Sequence, residues 1–159
     1  MSEEKHPLPW KSFFVFLLTT LGPGVAIALL TRDSMGIYDE IQRPSFAPPP
    51  WMFPVAWTLL YSLMSIAITL IWRDKKPGFQ ATTVLYYVQL TVNLAWPVIF
   101  FMLRAFGLAC LWLALLSALV CWLLIRIYRS SHTGGWLIVP YLLWCVFALV
   151  LNFVIARLN

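Results

Sequence analysis

Charge is what this chain lacks. Of its 159 residues only 11% are Asp, Glu, Lys or Arg, against roughly a quarter in an average soluble domain. The acidic residues Glu3, Glu4, Asp33, Asp39, Glu40 and Asp74 all fall outside the long apolar stretches, and so do the histidines His6 and His132. Ion pumps and proton-coupled transporters place ionisable groups along their pathway, and none is available here. A b-type haem protein needs an axial side chain, most often His, and no histidine can serve. The same scarcity leaves no His/Cys/Asp/Glu cluster with metal-ligand spacing. It supports no Ser/His/Asp or Cys/His pair either, so conventional hydrolysis is not expected. Cysteine is sparse as well. Cys110, Cys121 and Cys145 sit inside apolar runs and make an odd count, which implies buried thiols and not a disulfide framework.

Apolar length is what the chain has. Hydrophobic residues make up 62% and aromatic ones 16%, with a mean hydropathy of +0.83. A spanning helix needs about 20 mostly apolar residues. Segments 12–31, 51–72, 79–103, 105–125 and 135–156 all qualify without an internal charge. The predicted fold class is an all-α membrane protein, a five-transmembrane-helix bundle forming one domain over 1–159, with one long connection at 32–50. Only Arg104 separates the third and fourth segments. An Arg at mid-bilayer costs about 2.5–3.5 kcal/mol, so the chain is expected to turn there, helped by Gly107. Gly22-Pro23-Gly24 predicts a kinked or unwound first helix. That helix reads as a span and not as a cleavable signal, because its apolar run is too long and no A-x-A site follows.

An odd number of spans puts the termini on opposite sides. Lys5, Lys11, Arg73, Lys75, Lys76, Arg126 and Arg129 share the N-terminal side, and Arg32, Arg43, Arg104 and Arg157 the other. This asymmetry predicts a cytoplasmic N-terminus with loop 32–50 on the opposite face. The net charge of +5 is accounted for by these flanks, so nucleic acid is not an expected partner. Trp10, Trp51, Trp72 and Trp136 sit at segment ends, as an interfacial belt requires. Trp57, Trp96, Trp112, Trp122 and Trp144 lie deeper, where a belt does not explain them.

Helical spacing sets residues at i, i+3, i+4 and i+7 on one face. Gln89, Asn93, Trp96 and Phe100 share such a face in the third span, Trp57, Tyr61 and Ser65 in the second, and Tyr141, Trp144, Ala148 and Asn152 in the fifth. Flat rings with a few amides or hydroxyls are the composition of a small-molecule pocket. They are also the composition of plain helix packing, in which Gln89, Asn93 and Asn152 bond across helices for about 0.6–2 kcal/mol each. The stripes alone leave both readings open.

Longer blocks carry a resemblance. Arg43-Pro44-Ser45-Phe46-Ala47-Pro48-Pro49-Pro50-Trp51 runs on through Phe53-Pro54 to Trp57-Thr58-Leu59-Leu60-Tyr61. Gln89-Leu90-Thr91-Val92-Asn93-Leu94-Ala95-Trp96 is followed by Phe100-Phe101, and Pro140-Tyr141-Leu142-Leu143-Trp144 by Ala148 and Leu151-Asn152. With Gly22 and Tyr38-Asp39, these blocks resemble the translocator protein family, also called tryptophan-rich sensory proteins or peripheral benzodiazepine receptors. The resemblance covers residues 21–159. It implies a five-helix bundle, usually a homodimer in the lipid bilayer, whose first loop lids a pocket faced by Trp57, Asn93, Trp96, Trp144 and Ala148. It also implies tetrapyrrole ligands such as protoporphyrin IX and haem, and synthetic isoquinoline- or benzodiazepine-type ligands. Two departures stand out. Ile37 precedes Tyr38, and Phe46 follows Pro44-Ser45, so the loop offers fewer indoles than many members. Phe153 stands before Arg157 where the sterol-associated motif has Tyr, which counts against sterol recognition.

The candidate binding set is therefore Tyr38, Phe46, Trp57, Tyr61, Gln89, Asn93, Trp96, Phe100, Trp144, Ala148 and Asn152. Indoles stack on a flat tetrapyrrole, each aromatic contact adding about 0.5–1.5 kcal/mol beyond burial, and Arg32 and Arg43 are candidates for its propionates. Without an axial histidine, haem would be held by its periphery, and metal-free porphyrin should bind comparably. No metal site and no resident cofactor are expected. The preferred function is a tetrapyrrole-binding membrane sensor or carrier. The alternatives are light- or oxidant-driven porphyrin breakdown, with Trp57 and Trp144 as candidate catalytic residues, and a lipid- or sterol-handling scaffold.

Overall fold

The computed structural model describes residues 9–75 and 77–159; Glu3, Glu4, Lys5, His6 and Lys76 lie outside the described residues. The helices are α1 (Trp10–Thr31), the short α2 (Ile37–Glu40), α3 (Met52–Asp74), α4 (Phe79–Pro97), α5 (Phe106–Ser130) and α6 (His132–Leu158). A 3₁₀ turn, Arg32–Ser34, follows α1, and a π-helical turn, Val98–Met102, extends α4. No strand occurs among the described residues. All the helices but α2 are long and apolar enough to cross a membrane, five in all. The fold is thus the all-α, five-span bundle read from the sequence. Helices α5 and α6 run past the charge-free stretches, because a helix need not stop where the hydrocarbon does.

The spans pack in a closed ring, in the order α1–α3–α6–α5–α4 and back to α1. Between α3 and α4 the reversal uses Lys75 and Gly78, both left-handed with φ 41° and 84°. The next reversal is Arg104 itself, at φ 54°, a conformation a side chain adopts only against a steric cost. Gly107 takes no part in that turn. It lies in the first turn of α5, where an added Cβ would meet nothing within 4 Å. The last hairpin is capped by Ser131, whose Oγ accepts from the Gly134 amide at 3.1 Å.

Helix α1 does not unwind at Gly22-Pro23-Gly24. Pro23 removes one backbone donor, but in an apolar setting the neighbouring backbone groups have no better partner than the helix itself. Gly24 serves packing instead. A Cβ there would lie 2.6 Å from Cε2 of Tyr61, so only glycine lets that ring sit against the α1 backbone. In α4, Pro97 has no N–H for the carbonyl four residues back. The turn that follows is wide, with Leu103 N donating to the Val98 carbonyl at 3.0 Å.

Loop 32–50 is tied down at the end of the bundle that also holds the C-terminus. The Gln42 amide donates to Oδ1 of Asn159 at 3.0 Å, and Asn159 Nδ2 donates to the Gln42 carbonyl at 3.1 Å. Arg104 pairs with Glu40 at 3.8 Å. Tyr38 is buried, donates its hydroxyl to the Pro48 carbonyl at 3.1 Å, and carries the Arg43 guanidinium 4.5 Å above its ring. Burial raises the Tyr38 phenol above its ordinary 10.0, although Arg43 pulls the other way. A raised phenol stays protonated, so its part in holding the loop persists up to that ordinary value and is lost only as pH climbs through the raised one.

Candidate ligand cavity

A cavity of about 210 Å³ lies between α1, α3 and α4. Helix α3 contributes Phe53, Trp57 and Tyr61, which stand four residues apart and so project from one face. Asn93, Trp96 and Phe101 close it from α4 and the π turn, while Leu21, Gly24 and Ala28 of α1 form the remaining wall. The wide turn at 98–102 has a consequence here. It brings both Phe100 and Phe101 to the inside, where both are buried. Among the described residues, no Asp, Glu, Lys, Arg or His lines the cavity. Its mouth lies where Val25 and Ala28 of α1 and Pro54 and Thr58 of α3 are exposed, on the flank of the bundle and not at its end.

Behind the cavity runs a buried chain of hydrogen bonds. Tyr61 donates to Asn93 Oδ1 at 2.8 Å, Asn93 Nδ2 to the Tyr141 hydroxyl at 2.7 Å, and Tyr141 to Gln89 Oε1 at 2.8 Å. Gln89 Nε2 ends the chain on the Tyr86 carbonyl at 2.9 Å. The chain joins α3, α4 and α6 and fixes the Asn93 amide, whose oxygen takes the Tyr61 proton and whose nitrogen points to Tyr141. No fully buried side-chain N or O atom among the described residues lacks a partner. Interior polar groups in lipid are costly unless paired, and here they are paired with one another. The indoles of Trp57 and Trp144, both only half-buried, make no hydrogen bond among the described residues.

The sequence-predicted residues divide into groups. Trp57, Tyr61, Asn93 and Trp96 line the main cavity. Tyr38, Trp96, Phe100, Ala148 and Asn152 border a second, smaller void of about 20 Å³ under the loop. Trp96 Nε1 donates to Asn152 Oδ1 at 3.2 Å, and Asn152 Nδ2 to the Phe106 carbonyl at 2.8 Å. Gln89 lines neither space and serves the buried chain. Trp144 stands behind the wall, its ring 6.4 Å from that of Trp57 at 81° and 6.2 Å from Phe53. Rings in edge-to-face contact leave no room between them, so these indoles cannot sandwich a flat ligand. Phe46 packs on Phe147 at 6.4 Å.

Neither loop arginine lines a cavity. Arg32 is exposed beside Asp33 at 3.5 Å, and Arg43 is held by Asp39 at 3.3 Å and by the Tyr38 ring. Of the other deep tryptophans, Trp112 donates to the Val92 carbonyl at 2.7 Å, and Trp122 faces outward at 56% exposure. Sequence reasoning left out Phe53, Phe101 and the whole α1 wall. Phe53 had a signal, its spacing of four from Trp57, and Phe101 had one in Pro97, which breaks the helical period before it. The α1 wall has no polar or aromatic stripe to announce it.

Ring order, uncharged cavity and tied-down loop define a class, the five-span helical membrane protein with an aromatic interior. The TspO/MBR family model matches residues 14–158. The chain is 36% identical to the tryptophan-rich sensory protein of Cereibacter sphaeroides over 157 residues, covering 96% of this chain and 94% of that one. It is 34% identical to the translocator protein of Homo sapiens over 156 residues, with 95% and 92% covered. Against protein CrtK of Rhodobacter capsulatus it is 37% identical over 149 residues, with 92% of each chain covered. The chain belongs to the TspO/MBR family and is an integral, multi-pass membrane protein.

Proposed function

We propose that this protein is a membrane sensor or carrier for tetrapyrroles, with protoporphyrin IX or haem as the ligand. The observation that carries the reading is the cavity itself, walled by Phe53, Trp57, Trp96 and Phe101, free of charge and open on the flank of the bundle. Apolar aromatic walls with a few orienting polar groups suit a flat, largely apolar ligand. The volume of about 210 Å³ is below the roughly 300 Å³ at which pockets for drug-sized molecules begin. One edge of the macrocycle therefore enters between α1 and α3, with the rest in the mouth. Arg32, which follows the cavity residue Thr31, and Arg43 are the loop cations for the propionates. The iron has no ligand in this arrangement, so haem and metal-free porphyrin should bind alike. Synthetic isoquinoline- or benzodiazepine-type molecules would use the same walls, and Phe153, in place of the Tyr of the sterol-associated motif, counts against a sterol.

Titration of the purified protein with protoporphyrin IX, followed by quenching of tryptophan fluorescence, tests this. Saturable quenching with a Kd shared within about threefold by haem supports it. Quenching that only tracks the lipid or detergent added would leave a lipid-handling scaffold as the better reading.

A second reading has its own observation. The Trp57 ring touches those of Tyr61, Tyr141 and Trp144, with centroids 5.3, 6.2 and 6.4 Å away, a cluster of oxidisable side chains beside the cavity. Light- or oxidant-driven porphyrin breakdown would use such a cluster. Loss of porphyrin absorbance under illumination, faster with protein than without and slowed in Trp57→Phe, separates breakdown from simple binding.

A further inference from the structure

We propose that the ring of Phe53 is a partition between two chambers, and that it sets how deep a ligand reaches in this site. The proposal rests on the reading of the cavity as a ligand site. The main cavity of about 210 Å³ and the void of about 20 Å³ under the loop share three lining residues, Phe53, Trp96 and Phe101. These rings are the wall between them. Two of the three are fixed. Trp96 is buried and donates to Asn152 at 3.2 Å. Phe101 is buried and packs on Trp96 and Phe100, with centroids 5.9 and 4.9 Å away.

Phe53 is held least. It is half-buried, sits in the first turn of α3, and meets Tyr38 and Trp144 edge-on at 5.4 and 6.2 Å. Turning its ring aside costs a few edge contacts and breaks no hydrogen bond. Turning Trp96 aside would break one. With Phe53 in place the small void holds at most a water, and a ligand ends at the ring. With Phe53 displaced, the site extends beneath the loop to Tyr38 and Ala148.

The test uses the full chain in lipid nanodiscs and three neutral probes of rising ring count, the primary carboxamides of naphthalene, phenanthrene and pyrene. Each is uncharged, as the lining of the cavity is, and empty nanodiscs correct for partition into lipid. Phe53→Ala should tighten the pyrene compound about tenfold relative to the naphthalene one, and Phe53→Trp should weaken the phenanthrene compound by a similar factor. Phe53→Trp keeps an aromatic ring in the wall and decides the matter if the alanine variant does not fold. Unchanged relative affinities in the variants, or no saturable binding of any probe by the parent, overturns the partition. The tetrapyrrole reading is judged apart from this, on the parent's titration with protoporphyrin IX.

Discussion

Trp57 and Trp144 look equivalent in the sequence, each in the polar-aromatic stripe of its helix, but they stand at different distances from the cavity. Trp57 lines it with an unpaired indole N–H, and Trp144 supports it from behind through Trp57 and Phe53. Their conservative variants should therefore differ. Trp57→Phe removes a donor and part of a wall, and should weaken protoporphyrin IX about tenfold. Trp144→Phe should weaken it less, and Trp122→Phe, on the outer surface, not at all. Each swap keeps most of the apolar area, so unfolding free energies should move by less than about 1.5 kcal/mol. Equal affinities across the set would reduce Trp57 to a packing residue. Trp112 is a poor control, because its indole bonds the Val92 carbonyl and its loss would loosen α4 from α5.

At the scale of the element, α1 holds two glycines with opposite roles. Gly24 lies under Tyr61, and an added methyl would press a ring that is both cavity wall and donor to Asn93. Gly22 faces open space, and alanine there gains about 1 kcal/mol of helix propensity. Gly24→Ala should lower the thermal midpoint and weaken porphyrin binding together. Gly22→Ala should leave binding alone and hold or raise the midpoint. Thermal unfolding and titration of both variants check this. The helices themselves were legible in the sequence, because twenty apolar residues without a charge have few alternatives. Helix-period stripes likewise placed Tyr61, Asn93 and Trp96 on inner faces. Which stripe residues meet a cavity and which meet one another was not legible. Gln89 and Asn93 sit on the same face of α4, and only the position of Tyr141 on a distant helix consigns Gln89 to the buried chain. The role of Gly24 was hidden for the same reason, since it depends on a ring from α3.

For the molecule as a whole, the described cations gather at two ends. Lys11, Arg73, Lys75, Arg126 and Arg129 stand at the ends of helices on the N-terminal side, and Arg32, Arg43, Arg104 and Arg157 on the loop side. With the positive-inside tendency, this distribution leads us to propose a cytoplasmic N-terminus. In a cysteine-free background, Ser45→Cys should react with an impermeant maleimide added outside intact cells, and Ser2→Cys only after permeabilisation. The reverse pattern would invert the protein in its membrane.

The ring order also has a bearing on how the chain is made. Helix α1 leaves the ribosome first, and its neighbours in the ring, α3 and α4, come later. It is strongly apolar and has little of its surface buried, which suits a helix that must wait alone in lipid. Helix α4 is the least apolar span and the most buried, and it carries Gln89 and Asn93. Tyr141, the partner both amides share, arrives on the last helix. Until α6 is inserted, Gln89 Oε1 and Asn93 Nδ2 lack the Tyr141 hydroxyl that pairs them, although Tyr61 of α3 is already there for Asn93 Oδ1. A nascent chain halted before α6 therefore carries two amide groups in an apolar setting that only the insertion of α6 pairs.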